Sequence, residues 1–167
     1  PYDLQLPLDL STSNRATIGG MVGNNSAGTR SVVYGKTIDY VHSLTAVLSD
    51  GSVVELQSIT PEQLAAAAAR GDREGNCYRV VKQLAAEHAT EIRHRYPNIL
   101  RRVGGYNLDA FVDASSATGT PLPDTQISAS KNSLELAPDR DADFNLARLL
   151  VGAEGTLALV VEVCLHL

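Results

Sequence analysis

Few residues of this chain combine the types and spacings that do chemistry, and most of them fall in one stretch, Thr17 to Gly35. It reads Thr-Ile-Gly-Gly-Met-Val-Gly-Asn-Asn-Ser-Ala-Gly-Thr-Arg-Ser-Val-Val-Tyr-Gly and holds five of the thirteen glycines, with almost no charge. Glycine lets backbone come close to something flat or bulky and reaches dihedrals that a side chain forbids. Thr17, Asn24, Asn25 and Ser26 bring short hydrogen-bonding groups to the same surface. The composition reads as backbone wrapped against a planar, polar ligand. A phosphate cradle is the competing reading, and it fails on context. The glycines fall at 19, 20, 23 and 28, where a dinucleotide fingerprint wants Gly-x-Gly-x-x-Gly between a strand and a helix, and no helical pattern follows them. The full Walker pattern is absent as well.

Other reactive side chains are scattered. His42 and His166 sit in strand patterns, His88 lies on the apolar stripe of a helix, and His94 stands between two arginines. No histidine pair has metal spacing, and no serine lies in a nucleophile elbow. Cys77 and Cys164 are far apart in neither a metal-type nor a redox-type spacing, and read as reduced thiols of a cytoplasmic protein, with a disulfide between them as the alternative. Arg93-His94-Arg95 and Arg101-Arg102 read as solvated faces, although the second pair abuts a glycine loop. Glu154, within Gly-Ala-Glu-Gly, suits a turn and a ligand contact equally. The residues by themselves describe a ligand-binding α+β domain without catalytic machinery of its own.

The elements that must position these residues follow from periodicity. Length, at 167 residues, suits one domain with a real core. A net charge of -5 argues against a nucleic-acid partner, and no apolar run reaches the roughly 20 residues of a membrane span. No secretory signal is visible at the start. The chain opens without Met and closes on Leu-His-Leu inside a strand pattern, which suggests a piece of a longer protein.

Residues 1 to 16 read as extended or looped, with a turn at Ser11 to Asn14. Ile38 to Leu56 predicts a hairpin turning at Asp50-Gly51. Thr60-Pro61-Glu62-Gln63 announces a helix with a capping box; its alanine run should lie against the sheet and Gly71 should end it. A second helix is expected over residues 76–95, with Tyr78, Val81, Ala85, His88 and Ile92 as one stripe and Arg79 on the solvated side. Residues 113–143, rich in Ser, Thr, Pro and Asp, read as a long surface excursion. Asp143 should cap a short helix over 144–151. A turn at Gly152 to Gly155 leads to a final strand, Thr156 to Leu167, with Leu157, Leu159, Val161, Val163, Leu165 and Leu167 on one face.

Three separated segments together resemble one family. They are Ala16 to Gly28 running on to Tyr34-Gly-Lys-Thr-Ile-Asp39 and the Asp50-Gly51 hairpin; Arg101-Arg-Val-Gly-Gly-Tyr-Asn-Leu-Asp109; and Asn145-Leu-Ala-Arg-Leu-Leu-Val-Gly-Ala-Glu-Gly-Thr-Leu157. In order and spacing they resemble the FAD-binding domain of FAD-linked oxidases, the vanillyl-alcohol oxidase or p-cresol methylhydroxylase type. Within it they are most similar to D-lactate, glycolate and D-2-hydroxyglutarate dehydrogenases, and to the long members that carry an iron–sulfur region. The alternative is a sugar- or alditol-type oxidase or flavin reductase of the same fold, or a non-catalytic binding domain.

The resemblance implies an α+β fold: the second subdomain of that domain, a largely antiparallel sheet flanked by helices. It implies non-covalent FAD, since no histidine stands in the Asn24 to Gly28 region. Thr17, Gly19, Gly20, Asn24, Asn25, Ser26 and Gly28 would line the isoalloxazine and ribityl part, and Ser11 and Thr12 would approach it just before. Glu154, Gly155, Val160 and Val161 would meet the remainder of the cofactor. The family's pyrophosphate loop, its substrate domain and any cysteine set for an iron–sulfur cluster are expected in flanking parts of the same protein, not here. The implied partners are a small 2-hydroxy acid and an iron–sulfur or quinone electron acceptor. The implied place is the cytoplasm or the inner membrane face. The family's usual Gly-Ser-Glu-Gly reads Gly152-Ala153-Glu154-Gly155, one hydroxyl fewer.

Overall fold

The structure, a computed structural model, describes residues 3–99, 101–112 and 144–167. Among them lies one antiparallel sheet in the order β2-β1-β3, formed by β1 Val41–Val47, β2 Val53–Leu56 and β3 Leu159–Leu165. Helices cover its inner face, so the α+β class expected from the sequence holds.

The β1-β2 hairpin forms where Asp50-Gly51 places it. Gly51 alone in the turn takes a positive φ, 84°. Asp50 Oδ1 accepts from Ser52 N at 3.0 Å and from Ser52 Oγ at 2.6 Å, which fixes the corner. Leu44 faces Leu56 and Ala46 faces Val54, and these four buried side chains make the floor of the core.

The single apolar face expected for the last strand does not form. Ala46 pairs with Val160 but Thr45 pairs with Glu162, so Val161 is an extra residue in β3. A bulge shifts the alternation by one and sends the next side chain to the other face. Val160, Val163 and Leu165 therefore pack on the core, while Leu159 and Val161 stand 67% and 64% exposed.

Helix α3, Pro61–Ala69, begins as expected: Thr60 N donates to Gln63 Oε1 at 2.8 Å and the Thr60 hydroxyl accepts from Gln63 N. Its end differs. Arg70 is already extended, and Arg79 donates to the carbonyls of Ala68 and Arg70 at 2.6 Å each. An arginine that satisfies the last carbonyls makes a glycine stop unnecessary. Arg79 is thus a cap, and the alanine run packs on the following helix and on the core cluster that the sheet shares.

The helix expected over 76–95 is two: α4 Arg73–Glu87 and α5 Ala89–Arg95, broken at His88. Tyr78, Val81, Ala85 and Ile92 are buried, but His88 is exposed at the break and leaves the stripe. Near the C-terminal end, the short helix is α6, Ala147–Leu150. Phe144 instead bridges to Ile59, and the first turn is held by Asn145 Oδ1, which accepts from Ala147 N at 2.9 Å. Asp143 and the stretch 113–143 lie outside the described residues. No described helix is long and apolar enough to cross a membrane.

Candidate functional site

The glycine-rich stretch opens as a helix, which its composition did not suggest. Helix α1, Ile18–Gly23, is capped by the Thr17 hydroxyl, which accepts from Gly20 N at 3.1 Å. A second short helix, α2 Ser31–Tyr34, follows the turn between them. Gly35-Lys36-Thr37, a tripeptide that also occurs in Walker loops, leads here into a 3-10 turn, Thr37–Asp39, that holds Lys36 N on Asp39 Oδ2 at 2.8 Å.

The turn between α1 and α2 is fastened from below. Asn25 takes a positive φ of 47° and is wholly buried; its Oδ1 accepts from Ile38 N at 3.0 Å. Its Nδ2 is buried and finds no hydrogen-bond partner among the described residues. The Ser26 carbonyl accepts from both the N–H and the hydroxyl of Thr37, at 3.0 and 2.8 Å. Gly28 N donates to Ser31 Oγ at 2.7 Å, and a Cβ on Gly28 would overlap the Asp9 peptide.

The turn after α6 docks on the end of α1. Gly152 N donates to the Val22 carbonyl and Glu154 N to the Gly23 carbonyl, each at 2.9 Å. These bonds satisfy carbonyls that a helix end otherwise leaves open. Gly152, Glu154 and Gly155 all take positive φ, 85°, 52° and 73°. Only glycine does so without strain, so Glu154 is held there by its surroundings.

The segment Arg101 to Asp109 ties both turns together. Arg101 Nη2 donates to the Gly28 carbonyl at 2.7 Å and to the Thr29 carbonyl at 3.2 Å. Lys36 Nζ donates to the Arg102 carbonyl at 3.1 Å. On the other side, buried Asn107 gives both amide hydrogens to carbonyls, Val151 at 2.7 Å and Arg148 at 3.2 Å. Tyr106 and Thr156 join hydroxyls at 2.9 Å; Thr156 already donates to the Ala153 carbonyl, so Tyr106 is the donor. Sequence reasoning placed Arg101 on a solvated face and gave Asn107 no role. Its one available signal was the glycine loop beside Arg101.

The expected site residues divide into two sets. Thr17, Gly19, Gly20 and Asn24 are exposed along α1, and Glu154 and Gly155 are exposed beside its end. Ser11 and Thr12 are exposed in the turn that leads into them. Asn25 and Gly28 are buried and Ser26 half-buried, beneath that surface. Val160 packs inward, while Val161 projects from the outer face of the sheet.

What the exposed set offers is bare backbone. A Cβ on Gly19 would meet nothing within 4 Å, and no positive φ requires glycine there. Glycine in a helix is disfavoured against alanine, by at most about 1 kcal/mol in a first turn such as this. No contact within the described structure offsets that cost, and the backbone of α1 is left open there. Gly155 is equally open, but its φ of 73° already favours glycine.

Elsewhere the structure offers little chemistry. His42 and His166 meet edge-on, ring centroids 5.0 Å apart, and no group of His, Cys, Asp and Glu suited to a metal occurs among the described residues. Cys77 and Cys164 are free thiols. Burial pushes the Cys77 thiol up, away from the reactive thiolate.

Residues 1–57, which contain the glycine-rich stretch and the hairpin, match the family model of the FAD binding domain. With the relatives that follow, this match makes the chain similar to part of the FAD-binding domain of FAD-linked oxidases. Along nearly its whole length it is similar to D-2-hydroxyglutarate dehydrogenases. That of Pantoea ananatis (strain AJ13355) is 33% identical over 162 residues, 97% of this chain and 13% of the relative. That of Escherichia coli (strain K12) is 31% identical over 163 residues, 97% of this chain and 14% of the relative. A D-lactate dehydrogenase of Anaerostipes hadrus is 51% identical over 41 residues, 25% of this chain and 9% of the relative. The chain thus spans about one-seventh of the length of the hydroxyglutarate dehydrogenases it matches. No solved structure matches it.

Proposed function

We propose that this chain forms one wall of the FAD site in a dehydrogenase that oxidises a D-2-hydroxy acid to the 2-oxo acid. The observation that carries the reading is the bare, exposed backbone of α1 at Gly19, with the Glu154-Gly155 turn docked beside it. When bound, FAD supplies the two-electron acceptor that such an oxidation needs. Thr17, Gly19, Gly20 and Asn24 present the surface it lies against, and Asn25, Ser26 and Gly28 keep that surface rigid. Glu154 and Gly155 bound it at one end, with Val160 and Val161 following in β3. Ser11 and Thr12 approach from the preceding turn.

The substrate to test first is D-2-hydroxyglutarate, because the relatives similar over nearly the whole chain are named for it. D-lactate and glycolate come next, on the shorter similarities. The electron acceptor is an iron–sulfur centre or a quinone, and the substrate-binding residues belong to other parts of a longer protein that works in the cytoplasm or at the inner membrane face.

Two outcomes are expected. The 167-residue chain purified alone elutes from gel filtration colourless, because a single wall holds FAD weakly. The full-length protein is yellow and reduces an artificial dye with D-2-hydroxyglutarate. Stoichiometric FAD on the isolated chain would refute the single-wall reading. A yellow full-length protein that responds to none of the three acids would refute the substrate class.

A further inference from the structure

The geometry points to Arg101 as a positioning residue for the flavin wall, acting through a strap that couples the two turns flanking α1. This rests on the FAD reading above and adds a residue that touches no exposed surface of the wall. The Arg101 guanidinium grips the Gly28 and Thr29 carbonyls, at the far end of the first turn. Five residues on, the Tyr106 hydroxyl donates to Thr156, which closes the second turn. Between them Lys36 reaches back to the strap's own backbone at Arg102. The strap is stiff: Arg102 pairs with Asp109 at 2.5 and 2.6 Å and lies over the Tyr96 ring, 4.8 Å from its centroid, while the Tyr96 hydroxyl donates to the Tyr106 carbonyl at 2.9 Å. Two loops distant in sequence are thereby held in one register, as a preorganised surface must be.

The test uses the full-length protein in three forms: Arg101→Met, which keeps the reach and loses the donors; Arg101→Lys, which keeps a charged donor; and Tyr106→Phe, which loses one hydroxyl. Each is stripped of FAD and titrated with it, and the visible circular dichroism of the bound flavin is recorded beside the thermal midpoint of the apoprotein. Arg101→Met should weaken FAD binding about tenfold, the scale of a lost hydrogen bond to a charged group. Arg101→Lys should restore most of it, and the flavin dichroism should change in the methionine form alone. Tyr106→Phe should weaken binding less, with an effect that does not add to that of Arg101→Met, because both act on one strap. A lowered thermal midpoint with FAD affinity and flavin dichroism unchanged would overturn the strap and leave the FAD reading standing. A wild-type protein that takes up no FAD would overturn the FAD reading itself.

Discussion

Gly28→Ala should destabilise the fold by about 3 kcal/mol, the upper part of the range for forcing a methyl into a packed site. The added Cβ meets the Asp9 backbone, and no side chain can rotate away to admit it. The neighbours are also fixed in place. Thr29 N donates to the Asp9 carbonyl at 3.1 Å, Gly28 N donates to Ser31 Oγ at 2.7 Å, and the Gly28 carbonyl is held by Arg101. Any shift that makes room must lengthen one of these bonds. Gly28 does not sit at a positive φ, so the cost is steric and not conformational. Urea unfolding reads it as a lower midpoint at constant slope. An unchanged midpoint would mean that the Asp9 segment does not press on this turn.

Asn107→Asp should cost about as much, for an electrostatic reason. Asn107 is 2% exposed and its two amide hydrogens serve the Val151 and Arg148 carbonyls. Aspartate has the same shape, so no cavity opens, but its ionised form turns two attractions into two repulsions. An unsatisfied buried acceptor costs about 1–3 kcal/mol, and more beside a charge. The sign with pH follows. Burial beside carbonyls raises the folded-state pKa of the new carboxyl above its unfolded value near 4. The protonated form, with one donor regained, is the better tolerated. The deficit against wild type should shrink as pH falls through the carboxylate range, and grow as pH rises above it. Urea midpoints of the two proteins at several pH values measure this, and a deficit independent of pH would contradict it.

Local chemistry made part of the fold legible. Asp50-Gly51 marks the hairpin and Thr60 with Gln63 marks the start of α3, because each device is completed within a few residues. What escaped depends on partners distant in sequence. The Val161 bulge exists only against β1, so alternation along β3 could not reveal it. Helix α1 forms among glycines because Thr17 caps one end and the Gly152 and Glu154 amides cap the other. Arg79 and Arg101 are exposed, as expected, but their spacing says nothing about the loose carbonyls they meet. In the site, the three glycine-containing segments could be picked out by composition. Their division into an exposed surface and a buried support could not, since Asn24 and Asn25 are adjacent yet fall on opposite sides of it.

The central claim is that α1 presents bare backbone to the flavin, and Gly19→Ala in the full-length protein tests it most directly. Alanine is the better helix former, by at most about 1 kcal/mol in this first turn, and meets nothing within the described structure, so the apoprotein should become more stable. The same methyl would stand between α1 and a flat ligand, so FAD affinity should fall by about tenfold or more, a loss of at least about 1.4 kcal/mol. Titration of the apoprotein with FAD, beside its urea midpoint, gives both numbers from one preparation. Opposite signs are the predicted result. A more stable protein that binds FAD as tightly as wild type would contradict the account.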